Sequence, residues 1–427
     1  MPDGSATAHL YRPKLATILA EGYGLSALRQ DAMAGLTVAI LALPLSMAIA
    51  VASGVGPERG LYTAIVGGFL VSGLGGSRYQ VGGPAGAFIV LVAATTARFG
   101  VDGLLLTVLL SGIMLTLVGA LRLGSLIRHI PHPVTVGFTA GIAVTILASQ
   151  LKDLAGLSLA GPEPGPVVPK LMAIGHALPT VNPAALGLGV AVAAAIFLIK
   201  RLRPNWPGML LAVAAGAVAA WALHLPVSTI GSRFGGIPHS LPWPHPPRFS
   251  WRLLVQVLPA ALSFTLLGGV ESLLSATVAD RLTGRKHRSN MELVAQGLAN
   301  VPSAFFGGIA VTGTIARTAT NIRAGARSPV AGMLHPAFLL VFMLVTATLA
   351  SYVPMTPMAG VLVAVCSNMA EKADFARLLR DWRSGAVLLA TFGLTLARDL
   401  TTGIVAGCAL AAIFWAAQRW RAGSARP

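Results

Sequence analysis

The chain is built almost entirely of apolar runs about as long as a bilayer is thick, set apart by short stretches rich in glycine, proline and basic residues. So many runs of that length cannot be folded into one soluble core, and they restrict the chain to a membrane. Charge usage agrees, because 11% of residues are charged where soluble domains carry about 25%. Reading the runs against their breakers predicts spans at 32–52, 61–74, 85–97, 104–121, 131–151, 183–199, 208–223, 252–279, 290–308, 315–325, 331–350, 357–369, 384–397 and 400–417. The expected fold is an all-α polytopic membrane protein with 14 transmembrane segments.

The formal charge of +17 does not point to nucleic acid, since the basic residues punctuate hydrophobic segments and build no soluble basic face. With the N-terminus cytoplasmic and the spans alternating, 22 of the 31 basic residues fall on the cytoplasmic side and eight outside, leaving Arg317 within a span. That predicts an inner-membrane, multi-pass protein with both termini cytoplasmic. Residues 1–30 form a cytoplasmic arm without a cleavable signal, 31–421 the transporter domain and 422–427 a short tail. Cys366 and Cys408 lie in apolar runs without metal-type spacing. There is no phosphate loop, no HExxH and no Gly-x-Ser-x-Gly elbow, so an enzyme, a cofactor or a structural metal is not expected. His129 and His132 read as solvated, and His335 as a packed, hydrogen-bonded histidine.

An even number of spans permits two seven-span halves of opposite orientation. Landmarks recur in order: an irregular span (Pro44, later Glu271), a polar glycine-containing break (Gly82-Gly83-Pro84, later Thr312-Gly313-Thr314), and a proline-flanked helix start (Pro131 with Pro133, later Pro354 with Pro357). The breaks predict spans 3 and 10 as short helices after extended crossings, with their N-termini facing each other near the midplane at Ala85, Gly86, Ala87 and Phe88 and at Gly313, Thr314, Ile315 and Ala316. Unpaired N–H groups and the positive dipole end favour an anion there. Small residues at such places also permit close helix contact.

Arg317 stands one turn into span 10, where an arginine costs at least about 2.5 kcal/mol to insert. It either adds positive charge beside the helix starts or forms a fixed ion pair with Glu271, the one acid placed deep in a span. Glu271 is a coupling candidate for a proton, or for sodium together with Ser275 and oxygens of the break at Thr312. Glu292 is expected at the interface. Residues 371–383 read as an amphipathic helix on the cytoplasmic interface or a connector packed on protein, and Gly235–Pro247 as an exposed loop.

The segments from Gly35 to Pro44, Ala52-Ser53-Gly54-Val55-Gly56-Pro57-Glu58-Arg59-Gly60-Leu61-Tyr62, Gly82-Gly83-Pro84, Glu271-Ser272-Leu273-Leu274-Ser275 and Ala316-Arg317-Thr318 resemble the SulP anion transporters over essentially the whole membrane region. The resemblance implies a seven-plus-seven inverted repeat with a core (spans 1–4 and 8–11) moving against a gate (5–7 and 12–14), often as a homodimer. It implies a secondary active transporter of sulfate, bicarbonate or a dicarboxylate such as fumarate, with H+ or Na+ as coupling ion. The pocket would be lined also by Leu45 and Ile49 of span 1, and positions matching Glu271 and Ser275 contribute to the cation site of sodium-coupled bicarbonate members. Sodium symport and a passive channel or exchanger are the alternatives to proton symport. The chain departs from the family pattern at Leu45 and Ala316, where polar residues are usual, and in stopping before a STAS domain, as in a naturally short or a truncated member.

Overall fold

The computed structural model describes residues 11–124, 131–161, 163–164, 166–204, 206–369, 372–398 and 400–424. The first ten residues of the expected arm, His129, Glu371 and the last three residues of the expected tail lie outside these.

The first half runs through α1 (Lys14–Glu21), α2 (Leu25–Ala52), α3 (Pro57–Tyr62), a π-helical turn at Thr63–Gly67, and α4 (Gly68–Leu74). A two-residue strand β1 (Gly82–Gly83) and a 3-10 turn at Gly86–Phe88 lead into α5 (Ile89–Ala120). Gly100, at φ 69°, breaks α5 into two arms where spans 3 and 4 are expected, a backbone state that a side chain would oppose. Then come α6 (His132–Leu154), α7 (Val167–Ala177), α8 (Pro183–Leu202), α9 (Gly208–Ala222) and α10 (Ile230–Phe234).

The second half follows with α11 (Trp251–Thr283), α12 (Ser289–Phe305), β2 (Thr312–Gly313), α13 (Ile315–Arg323) and α14 (Pro329–Ser351). It ends with α15 (Met355–Met369), α16 (Lys372–Leu378), α17 (Trp382–Ala397) and α18 (Leu400–Ser424). Helix covers each apolar run, and among the described residues six stretches, α2, Gly86–Ala120, α6, α8, α11 and α14, are by length and composition able to cross a bilayer. The protein is a helical membrane protein.

Three local expectations change. Neither Pro44 nor Glu271 interrupts its helix: α2 and α11 run through them. In α2, Ser46 Oγ donates to Ala42 O at 2.7 Å, one turn back, beside the proline. The amphipathic segment after span 12 is a seven-residue helix, α16, because Asp381 caps a new helix by accepting from Ser384 N at 3.0 Å. Phe375 stacks edge-on against Phe392 at 5.6 Å, so α16 rests on α17 as a connector. Glu292 is fully buried and accepts from Gly76 N at 2.8 Å and Ser77 N at 3.0 Å, which a carboxylate at a solvated interface would not need.

Contacts sort the helices into two sets. In one, α12 and α11 lie along α5, α14 lies along α2 and α4, and α13 fits between α2 and α11. In the other, α17 lies along α6 and α18, while α15 lies along α6 and α8 and α8 along α9. The sets meet chiefly where α2 faces α15 and α9.

Within the first set a buried acid ties distant loops. Asp31 accepts from Arg327 N at 2.7 Å, from the Ser328 N–H and hydroxyl, and from Tyr23 Oη at 2.7 Å, holding the start of α14. In the loop before α7, Glu163 bridges Lys170 at 2.9 Å and Lys152 at 3.1 Å. Burial pushes the Glu163 carboxyl up, but the two ammonium groups outweigh it and hold it below its ordinary 4.5.

Asp31→Ala removes every acceptor of that cluster and lowers stability by about 3 kcal/mol, read as a fall in melting temperature in detergent. The Glu163 clasp is fully formed above its ordinary pKa and is lost as pH falls through its lowered one. Hydrogen-exchange protection in residues 157–180, corrected for the intrinsic pH dependence of exchange, therefore holds down to the carboxyl's ordinary 4.5 and falls as the pH drops further in the native protein, and much less so in Glu163→Gln.

Candidate functional site

β1 and β2 pair antiparallel with each other, Gly82 opposite Gly313 and Gly83 opposite Thr312. Two extended crossings thus satisfy each other's backbone groups where lipid could not. Side chains satisfy the rest. Val81 N donates to Thr318 Oγ1 at 3.1 Å, and Thr314 N donates to Val81 O at 3.0 Å. Ser72 Oγ donates to Gln80 O at 3.1 Å. Asn300 both donates to Val311 O, at 2.9 Å, and accepts from Val311 N, at 3.0 Å, copying a strand partner. Thr63, in the π-helical turn, accepts from Ile309 N at 2.7 Å.

This junction aims the 3-10 turn before α5 and the first turn of α13 into one cavity of about 510 Å³. Leu45, Ile49, Ala85, Gly86, Ala87, Thr314, Ile315, Ala316 and Arg317 all line it, as does Glu271. Phe88 and Gly313 do not: Phe88 stacks edge-on against Phe264 at 5.4 Å, and Gly313 sits in the strand with the Gln80 amide against it. Ser275 and Thr312 lie behind the wall, Ser275 Oγ donating to Thr318 Oγ1 at 3.2 Å and Thr312 Oγ1 to Gly268 O at 3.4 Å.

Arg317 is fully buried and forms no ion pair among the described residues. One terminal amino group donates to Ser46 Oγ at 3.0 Å and Pro84 O at 3.4 Å, while Nε and the other amino group have no partner. The fixed Arg317–Glu271 pair is therefore absent. Oε2 of Glu271 is buried without a hydrogen-bond partner. The guanidinium lies against Gly83, where any side chain would overlap it. Its charge reaches the cavity from behind the two helix starts.

His335 is buried with neither ring nitrogen hydrogen-bonded, so it is packed but not bonded as expected. The opposite wall was not read from sequence. It comes from Thr135, Phe138 and Thr139 of α6, Ile196 and Lys200 of α8, and Met369 of α15, with Trp206 and Arg323 at the mouth. Only the four-residue spacing of Ile196 and Lys200 at the end of an apolar helix hinted at it. Chemically, the arrangement offers two helix starts with their dipoles and a desolvated guanidinium on one side, one carboxyl group beside them, and opposite them a wall in which Thr135, Thr139 and Lys200 stand among apolar side chains. That set suits an anion, and among the described residues lining the cavity there is no paired acid, base and nucleophile.

A profile of the sulfate permease family matches residues 28–391. A Bacillus subtilis protein described as putative sulfate transporter YvdB is 42% identical over 92% of this chain and 75% of its own length. The bicarbonate transporter BicA of Picosynechococcus is 31% identical over 89% of this chain and 68% of its own. The solved transmembrane domain of a cyanobacterium BicA superposes with TM-score 0.81 at 28% identity, covering 89% of this chain and 98% of that one. Murine Slc26a9, in the inward-facing state, superposes with TM-score 0.87 over 98% of this chain and 73% of that one, and at 19% identity shows the fold.

Gly83→Ala must move the guanidinium, and we expect about a tenfold loss of anion affinity. In an Arg317→Ala background the same change should cost little. A double-mutant cycle in a binding assay checks both, and equal costs in the two backgrounds would contradict the contact.

Proposed function

The chain belongs to the sulfate permease family, and from that membership and the cavity at its two facing helix starts we propose that it is a secondary active transporter of small anions. Family members compared above are described as sulfate and bicarbonate transporters, not enzymes. The candidate substrates are sulfate, bicarbonate and a dicarboxylate such as fumarate. The observation that carries the reading is the desolvated, half-unpartnered Arg317 placed behind two helix N-termini that line one cavity.

In the proposed cycle the set of helices containing α2, α5, α11 and α13 is the core, and the set containing α6, α8, α15 and α17 the gate. The anion sits on the core's helix starts, and the core moves against the gate to open the cavity alternately to each side. With the arm and tail in the cytoplasm of an inner-membrane protein, the mouth at Lys200 and Arg323 opens inward. A homodimer is the proposed assembly. The two halves are related as a fourteen-span, seven-plus-seven inverted repeat, supported by the antiparallel β1–β2 pair.

Proton coupling through Glu271 is favoured over sodium by one feature. Its Oε2 is without a partner on a residue that lines the cavity, whereas Ser275 and Thr312, whose oxygens a sodium ion would need beside it, do not line that cavity. Anion binding with Glu271 protonated leaves the site nearer to neutral when it moves.

In proteoliposomes, labelled sulfate, bicarbonate and fumarate are offered with an inward proton gradient, an inward sodium gradient, or neither. Accumulation of one anion above equilibrium under the proton gradient supports the reading. Downhill flux alone, under every gradient, marks a channel or exchanger instead. Glu271→Gln should remove the response to the proton gradient, and Arg317→Ala should lower anion affinity by about ten- to a hundredfold.

A further inference from the structure

The cavity is lined mainly by hydrocarbon, with its densest polar groups at the two helix starts and Thr135, Thr139 and Lys200 scattered on the opposite wall. Along α2, Leu41, Leu45 and Ile49 follow one another at intervals of four and present a continuous apolar stripe to it. Facing that stripe, Phe138, Ile196 and Met369 line the gate side. The hydrogen-bond donors that suit an oxyanion are gathered at the starts of the 3-10 turn and α13, and Ala316, between them, has no hydroxyl to offer. A sulfate or bicarbonate ion has only a few heavy atoms, while the cavity holds about 510 Å³. Seated on the donors, such an ion would leave most of that space to water lying against hydrocarbon, which costs free energy in proportion to area. A ligand site of this size with a few polar groups at one end usually fits a molecule with an apolar body.

We infer that the preferred substrate is an amphipathic oxyanion, a carboxylate or sulfonate head set at the two helix starts with a short hydrocarbon body along Leu41, Leu45 and Ile49. This rests on the anion-transport reading above and narrows its substrate class. The head takes the N–H groups of the two first turns and the field of Arg317. The body displaces water from the α2 stripe. Selectivity over inorganic oxyanions then comes from hydrocarbon contact, because the polar end would accept either kind of head.

Alkanesulfonates test this cleanly, since they stay ionised and do not cross a bilayer as neutral acids. Methane-, propane- and pentanesulfonate would be titrated calorimetrically into the protein in lipid nanodiscs, with empty nanodiscs as the blank and sulfate and bicarbonate in parallel. The expected result is affinity rising roughly threefold for each added methylene. In Leu45→Gln that rise flattens, and in Ala316→Ser the series keeps its slope while sulfate binds more tightly. A flat series in the native protein, with sulfate or bicarbonate binding as tightly as pentanesulfonate, overturns the substrate class and leaves anion transport standing. Absence of binding by every anion, together with absence of flux in proteoliposomes, overturns both.

Discussion

Four residues in two strands hold the junction on which the cavity depends. Pairing Gly82-Gly83 with Thr312-Gly313 lets the backbone leave helical geometry inside a layer that offers no water. Without the pair, the exposed N–H and C=O groups would each cost several kcal/mol in hydrocarbon. Because the pair is antiparallel, the two helices that follow start on opposite sides of it and present their N-termini to the same space. Glycine at positions 83 and 313 is required for what lies beside the strands, the Arg317 guanidinium in one case and the Gln80 amide in the other. The proposed anion-binding character of the wall is thus a by-product of how the backbone is satisfied.

The support around the junction is unequal. Asn300 engages both backbone groups of Val311, whereas the first crossing is held by several side chains with one bond each, Ser72 to Gln80 O, Asn321 to Tyr79 O and Thr318 from Val81 N. The second crossing is also fixed upstream, where Thr63 and Ser303 hold Ile309. Arg317 follows the second crossing, so its position is set by several elements and not by a partner carboxylate. Two of its nitrogens are left without side-chain or backbone acceptors while the residue lines the cavity, as a cation held for a ligand there would be.

Much of the arrangement was readable in the sequence. The apolar runs give the helices, and Gly-Gly-Pro and Thr-Gly-Thr mark the breaks because few other functions need such residues inside an apolar run. Arg317 and Glu271 stand out by cost alone. What sequence could not give is partnership. Asn300 and Ser72 look like ordinary polar residues in helices, since their partners lie 11 and 8 positions away across a break. Glu292 looked interfacial because it follows a basic cluster, yet it turns inward to the Gly76 and Ser77 amides. The gate-side wall was invisible because its residues are apolar and threonine side chains that any membrane helix carries.

The one-sided cavity has an electrical consequence. Solvent admitted at the Lys200 and Arg323 mouth extends the aqueous phase up to the helix starts, so little of the transmembrane voltage falls across the cavity itself. The drop would then be concentrated in the protein on the far side of the cavity from that mouth. A full charge crossing that region moves through most of the field, at about 2.3 kcal/mol for each 100 mV. In the proposed cycle, occupying the site from the open side would be nearly voltage-independent, and the membrane potential would do its work in the step where core moves against gate.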